Sequence, residues 1–236
     1  MTDPAYTPMV SADYAERVRE WHENAYRMAQ REGAATQTFD FLGLTLEVPP
    51  QVHPINRMSD LLGKSVLAEV RETDRVLDMG TGCGVNAILA ASVSSHVLAV
   101  DVNPIAVEAA RDNAARNGVA DRVTVRHSDV FDSVDGEFDL MIFDPPFRWF
   151  APRTLLERAS TDENYQAMTA FFHGARARLA PGGRMLVCFG TSGVLAYLNR
   201  VSSDAGFATE ELKRRELTKD GWKVEYFTFR MTPEAP

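Results

Sequence analysis

The chain has only two cysteines in 236 residues, Cys83 and Cys188. That excludes a disulfide framework and points to a reducing compartment such as the cytoplasm. No apolar run nears the roughly 18 residues that cross a bilayer, and the N-terminus, with Asp3 and Pro4, does not resemble a signal peptide. No membrane partner is expected. Positive charge is also short: 25 Lys and Arg against 33 Asp and Glu leave a formal charge of -8 and a pI near 5.2. A broad basic face for phosphate backbone is not expected, so nucleic acid is a disfavoured partner. The histidines are scattered without metal-ligand spacing, and no metal site is expected. Internal repeats and low-complexity segments are absent.

What is present centres on Val76-Leu77-Asp78-Met79-Gly80-Thr81-Gly82-Cys83-Gly84. The apolar run Arg75 to Met79 reads as a buried strand, and three glycines at alternate positions lead to a helix near Val85. Glycine supplies the positive φ of a tight turn and lets a ligand lie against the backbone. The third glycine comes one residue earlier than in a dinucleotide fingerprint. A second apolar strand, Val97 to Asp101, ends in a carboxylate 21 residues after Gly80, a separation at which an acidic group reaches a ribose diol. Asn103-Pro104 then starts a helix, with Asn as cap and Pro at the first helical position, and Asn117-Gly118 stops it.

Length allows one large α/β domain with a small appendage. Residues 1–10 read as a loose arm. Tyr14, Val18, Trp21, Ala25 and Met28 recur along one face of a helix from Ser11 to about Arg31, and Gly33 ends it. Phe39 to Val48 reads as a hairpin about Gly43, and Asn56 to Arg71 as a helix started by Asn56 or Ser59. From Arg75 the chain alternates strand and helix, which requires a mainly parallel sheet covered on both faces. Val123 to Arg126 and Phe138 to Phe143 are further strands. A capping box from Ser160 to Glu163 opens a helix through Tyr165, Met168, Phe171, Phe172, Ala175 and Leu179. Pro181-Gly182-Gly183 is a turn before a strand, Arg184 to Phe189, and a final antiparallel pair is joined at Asp220-Gly221.

The glycine loop, the second strand with its helix, and Asp144-Pro145-Pro146-Phe147 together resemble the Rossmann-like S-adenosylmethionine-dependent methyltransferases. Within that class the match is to the branch with an Asn/Asp-Pro-Pro-Tyr/Phe tetrapeptide, similar to protein-glutamine and rRNA guanine-N2 methyltransferases. The resemblance covers about Val66 to Phe189. It implies a doubly wound α/β fold, a mainly parallel seven-stranded sheet with an antiparallel last strand, beside a small N-terminal helix and hairpin. Residues 1–55 would then be a lid, substrate or dimer element, and 56–236 the cofactor-binding methyltransferase domain. The cofactor implied is S-adenosyl-L-methionine, held by Asp78, Gly80, Thr81, Gly82, Gly84, Asp101, Val102, Asp129 and Val130, with Asp129 toward the adenine amino group.

The tetrapeptide carries the chemistry. Two prolines fix φ and remove two N–H donors, and Asp144 is an acceptor-only carboxylate when ionised. Asp144, Pro145 and Phe147 are the catalytic candidates; Pro146, Trp149 and Phe150 with His53, Asn56 and Arg57 are the substrate candidates. A carboxylate stabilises positive charge developing on nitrogen, so the expected acceptor is an amine, guanidine or amino-heterocycle of a small molecule or peptide. The alternatives are an exocyclic amine of an rRNA or other nucleic-acid base, a protein glutamine, or a non-catalytic nucleotide-binding module. Asp in place of Asn, and the short N-terminal region, count against the glutamine reading. His173 is expected to be a packing residue.

Overall fold

The computed structural model describes residues 9–32, 34–219 and 221–234. Its elements are α1 (Ala12–Glu32), β1 (Gln37–Phe41), β2 (Leu44–Val48), α2 (Ser59–Glu69), β3 (Arg75–Met79), α3 (Val85–Ala91), β4 (His96–Asp101), α4 (Pro104–Arg116), β5 (Val123–His127) and β6 (Phe138–Phe143). They continue with α5 (Leu155–Arg158), α6 (Gln166–Ala175), β7 (Leu179–Gly190), α7 (Leu195–Asp204), β8 (Phe207–Lys219) and β9 (Trp222–Pro233). Strands β1 and β2 form a separate hairpin, turned by Leu42 and Gly43 at φ of 48° and 85°, the geometry that matches strand twist in a two-residue loop.

The seven other strands form one sheet in the order β5-β4-β3-β6-β7-β9-β8. The first five are parallel; β9 runs antiparallel between β7 and β8. Strand β3 pairs with both β4 and β6, so the order reverses there, and ligands of open α/β sheets bind beyond the carboxyl ends at that reversal. Alternate residues feed two cores. Leu77, Met79, Met141, Phe143, Val187 and Phe189 pack with α6 and α7, while Val76, Leu140, Ile142, Leu186 and Cys188 pack with α2, α3 and α4.

Four expectations need correction. The buried line of α1 is Val18, His22 and Tyr26, and Met28 is 48 % exposed; His22 is accepted inside because Glu157 Oε1 lies 2.8 Å from its Nε2. The helix at Gln166 has no Ser160–Glu163 capping box. Ser160 instead donates to Glu157 O at 3.1 Å, and the Asp162 carboxylate accepts from Ala167 and Met168 N–H at 3.0 Å each. Pro181-Gly182-Gly183 lies within β7, where the register against β6 jumps from Phe138↔Leu179 to Leu140↔Arg184; the segment bulges rather than ending the strand. Helix α2 starts at Ser59 with no side-chain cap; Asn56 Oδ1 accepts from Met58 N–H at 2.8 Å, an Asx turn ahead of it. The expected stop at Gly33, Asp220 of the last turn and residues 1–8 of the arm lie outside the described residues.

Candidate active site

The glycine loop leaves β3 at the reversal. Gly80 and Gly82 have φ of 69° and 57°, and a Cβ on either would meet nothing within 4 Å. Space over the loop is therefore open, so a ligand can touch bare backbone there. Gly84 differs: at φ 88°, a Cβ would lie 3.1 Å from Ala110 Cα, so this glycine lets α3 and α4 pack closely. Asp78 is 1 % exposed and accepts from Thr81 Oγ1 at 2.6 Å and Ala87 N–H at 3.1 Å, both on Oδ2. Burial lifts its carboxyl to about 7 against those hydrogen bonds, with Asp101 adding repulsion.

At the end of β4, Asp101 takes Gly82 N–H on Oδ2 and Asn103 N–H on Oδ1, each at 2.8 Å. Burial raises its carboxyl, and those hydrogen bonds oppose the rise. Each oxygen keeps a second lone pair, which suits a diol. Val102 beside it is half-buried. Beyond β5, Val130 sits at φ 45°, costly for a β-branched residue. Ser128 fixes that bend, donating to Val130 O at 2.9 Å and accepting from Ser133 N–H at 2.9 Å. Asp129 is exposed and paired with Arg158 at 3.2 Å.

The open loop, the Asp101 carboxylate and the strained turn lie at one sheet end, an arrangement whose backbone space and acceptor oxygens suit the adenosyl part of S-adenosylmethionine. Asn113, unmarked in the sequence, ties the cluster together. Buried in α4, it donates to Cys83 O at 2.9 Å and Glu47 O at 2.8 Å, and accepts from Glu47 N–H at 2.9 Å.

The tetrapeptide follows β6. Asp144 comes two residues after Ile142, which carries its side chain to the sheet face of Asp78 and Cys188. Pro145 is buried and Pro146 half-buried, while Asp144 is exposed. Dense protein around that exposed group, with the charge of Asp78, raises its carboxyl to about 7 against the hydrogen bond of the Cys188 thiol. His53 is likewise exposed, and its surroundings, with Arg148 next in weight, lower it to about 4.

Phe147 is half-buried, its ring 5.0 Å from Phe189 and 6.0 Å from Tyr226. Trp149 is buried against Phe150 and Tyr165, so it backs the loop rather than forming a wall toward solvent. Phe150 carries Arg19 over its ring at 4.3 Å. Asn56 and Arg57 are exposed. They line a groove of about 540 Å³ with Phe39, Phe41, Asp60 and Arg215. His173 is exposed on α6, contrary to the expected packing role.

Two residues that the sequence did not mark hold the tetrapeptide. Tyr165 Oη donates to Phe147 O at 2.7 Å and accepts from Val194 N–H at 2.8 Å. A Cβ at Gly193 would overlap the Phe147 carbonyl oxygen, so the loop after β7 presses directly on the turn. Helix α1 closes the same side through His22 to Glu157, Tyr26 to Thr154 at 3.1 Å, and Tyr14 to the Thr191 carbonyl. Glu157 is held at about 2: burial works to raise it, and hydrogen bonds from Arg153 and His22 prevail.

The sheet order and the loops at its reversal are those of the Rossmann-like methyltransferase fold. Residues 55–201 match the family model described as methyltransferase small domain, and the chain belongs to that family. It is 33% identical over 182 residues to the ribosomal RNA small subunit methyltransferase C of Chromohalobacter salexigens, covering 74% of this chain and 50% of that one. It is 35% identical over 144 residues to the release factor glutamine methyltransferase of Cereibacter sphaeroides, covering 55% and 50%. The chain thus spans about half the length of these curated relatives. The crystal structure of a ribosomal protein L11 methylase from Lactobacillus delbrueckii subsp. bulgaricus superposes with a TM-score of 0.59 at 17% identity, covering 80% of this chain and 84% of that one. Among the described residues no helix is long and apolar enough to cross a membrane.

Proposed function

We propose that the chain methylates nitrogen in an amine, guanidine or amino-heterocycle of a small molecule or peptide. The observation that carries this reading is Asp144: a carboxylate open to solvent within dense protein, lifted to about 7, on a rigid Pro-Pro turn at the sheet reversal. S-adenosylmethionine, when bound, supplies an electrophilic methyl on a sulfonium. The chain's own part is to hold the acceptor N–H on Asp144 with its lone pair outward and to take up the proton, for which a pKa near working pH suits a base. A charged carboxylate favours a nitrogen that becomes cationic; an amide at this position would favour a carboxamide.

In this reading Gly80, Thr81, Gly82 and Asp101 hold the cofactor, with Asp78 and Gly84 shaping the loop, and Val102, Asp129 and Val130 border the adenine. Pro145 and Pro146 fix the turn and Phe147 excludes water beside the methyl. His53 lines the acceptor side. Residues 1–55 serve as a support on both sides of the site, and 56–236 as the catalytic domain. Both cysteines are buried and unbridged, which supports a reducing compartment such as the cytoplasm.

A second reading, an exocyclic amine of an rRNA base, is favoured by the name of the relative that is 33% identical; the charge of -8 opposes it. The test is methyl-labelled S-adenosylmethionine with a cell extract split by size. Label in the small fraction supports the lead. Label in the large fraction overturns it, in favour of a base if ribonuclease removes the label and of a protein if protease does. Asp144→Ala should lose turnover while cofactor affinity stays within about twofold by calorimetry; an active variant removes Asp144 from the chemistry.

A further inference from the structure

Four residues beyond Asp144 the chain buries a guanidinium. Arg148 is 8 % exposed. Its backbone is fixed on both sides, the N–H to Ser160 O at 3.3 Å and the carbonyl from Asp162 N–H at 2.8 Å. Its Cζ stands 4.6 Å from the Trp21 ring centroid. Among the described residues no carboxylate forms an ion pair with it, and its buried Nε has no hydrogen-bond partner.

The contrast is Arg184, equally buried, which has Asp74 at 2.8 Å and Glu69 at 3.5 Å. Arg184 also leaves its buried Nε without a hydrogen bond, so the difference between the two arginines is the counter-charge. An aromatic face offsets part of the cost of burying a cation, but far less than an anion does.

Arg148 follows Phe147 of the tetrapeptide directly, and Trp21, over which its guanidinium lies, packs edge-on against Trp222 of the apolar cluster that holds Tyr226 and Phe147. Its charge is felt at His22, His53 and Tyr226. Tyr226 also feels Asp144 and Cys188, and its ring packs on Phe147 of the tetrapeptide. Tyr226 thus feels both charged groups and touches the turn that joins them in the chain, which puts Arg148 on the acceptor side.

We propose that Arg148 is the counter-ion for a carboxylate on the acceptor, so that the substrate is a small zwitterion, its nitrogen at Asp144 and its carboxylate at Arg148. A planar fork pairs with a planar carboxylate through two parallel N–H bonds. Trp21 lies against one face of the guanidinium. Charge balance favours a carboxylate over a phosphate dianion, because Arg148 contributes one positive charge. The assignment rests on the small-molecule N-methylation reading above.

The test uses the full chain, labelled S-adenosylmethionine and the small fraction of a cell extract, with R148Q and R148K beside the wild type. The labelled product is treated with acidic methanol, which esterifies carboxyl groups and changes the mass. The expected result is a product that takes up the ester. In R148Q the half-saturating amount of fraction should rise roughly tenfold to a hundredfold, the effect of losing a charge-assisted pair. Cofactor affinity should not change. R148K, which keeps the charge but not the fork, should fall between the two, and it carries the test alone if R148Q fails to fold.

A labelled product without a carboxyl group, or R148Q that matches the wild type, overturns this assignment and leaves the N-methylation reading standing. Weaker cofactor binding in R148Q also overturns it, since Arg148 would then serve the methionine carboxylate of the cofactor. Label confined to the large fraction, or none in either, overturns the reading on which it rests.

Discussion

Tyr165→Phe removes one oxygen and tests whether the tetrapeptide is held from behind. The ring is fully buried, and its hydroxyl joins Phe147 O at 2.7 Å to Val194 N–H at 2.8 Å. Phenylalanine keeps the packing and leaves a buried N–H and a half-buried carbonyl unpaired. An interior polar group left without its partner costs about 1–3 kcal/mol, so the pair should cost about 2–4 kcal/mol. For a chain of this size that lowers Tm by roughly 4–16 °C, readable by calorimetry. Freed of its tie, the Phe147 carbonyl should let the turn shift, and labelling of the small fraction should fall at least about tenfold, the order a misplacement near 1 Å produces. Affinity for S-adenosylmethionine should stay within about twofold, because the hydroxyl touches neither the glycine loop nor Asp101. A variant within about 0.5 kcal/mol of wild type and fully active would refute the idea that this hydroxyl positions the acceptor turn.

Asp78 should make the cofactor-free protein less stable as pH rises. Its folded pKa near 7 lies above the ordinary 3.8, so its contribution is fully present below about pH 4 and fades as pH climbs through 7. Asp78→Asn keeps an oxygen for both donors and should be more stable than wild type at pH 8 by a few kcal/mol, on the order of that shift; equal melting at pH 5 and pH 8 would count against it. Gly80→Ala and Gly84→Ala should separate function from packing. The first should lose cofactor affinity with about 1 kcal/mol of destabilisation, whereas the second, against Ala110, should cost about 1–3 kcal/mol; a reversed order in urea melts would contradict the geometry. Asp101→Ala should weaken cofactor binding about tenfold to a hundredfold and lower Tm too, since it frees Gly82 and Asn103 N–H; unchanged affinity by calorimetry would remove it from the cofactor site. Turnover should rise with pH through the neighbourhood of 7 as Asp144 ionises beside Cys188, Asp78 and Tyr226. Asp144→Asn should flatten that limb, and an unaltered profile would exclude Asp144 as the base.

The parallel half was legible because β3 and β6 are buried on both faces and read as unbroken apolar runs. The loops at their ends carry residues whose side chains act locally, and local chemistry leaves a sequence signal. Tyr165 could not be read that way. It looked like one more apolar position of an amphipathic helix, while its part depends on partners 18 and 29 residues away. Gly193 is similar, since its need for glycine comes from the carbonyl it faces and not from its own φ. Along α1, a seven-residue window fits Met28 as well as Tyr26, and only Glu157, 135 residues on, explains why the polar His22 lies on the buried line.

The N-terminal segment also shows why a boundary near residue 55 divides the chain but not the site. Helix α1 places Trp21, His22 and Tyr26 against Arg148, Glu157 and Thr154, all on the segment after the tetrapeptide. Hairpin strand β2 lands elsewhere, exchanging hydrogen bonds between Glu47 and Asn113 of α4 and between Thr45 and Asn117 just past the end of that helix. Asn113 passes that contact to Cys83 O in the glycine loop. One piece of the segment therefore braces the stretch after the tetrapeptide and the other the glycine loop. A separate lid would be expected to contact the site through one hinge; here two contiguous elements reach its two sides. Whatever loosens α1 should therefore act through Arg148 and Glu157, leaving the Asn113 link to the cofactor loop intact.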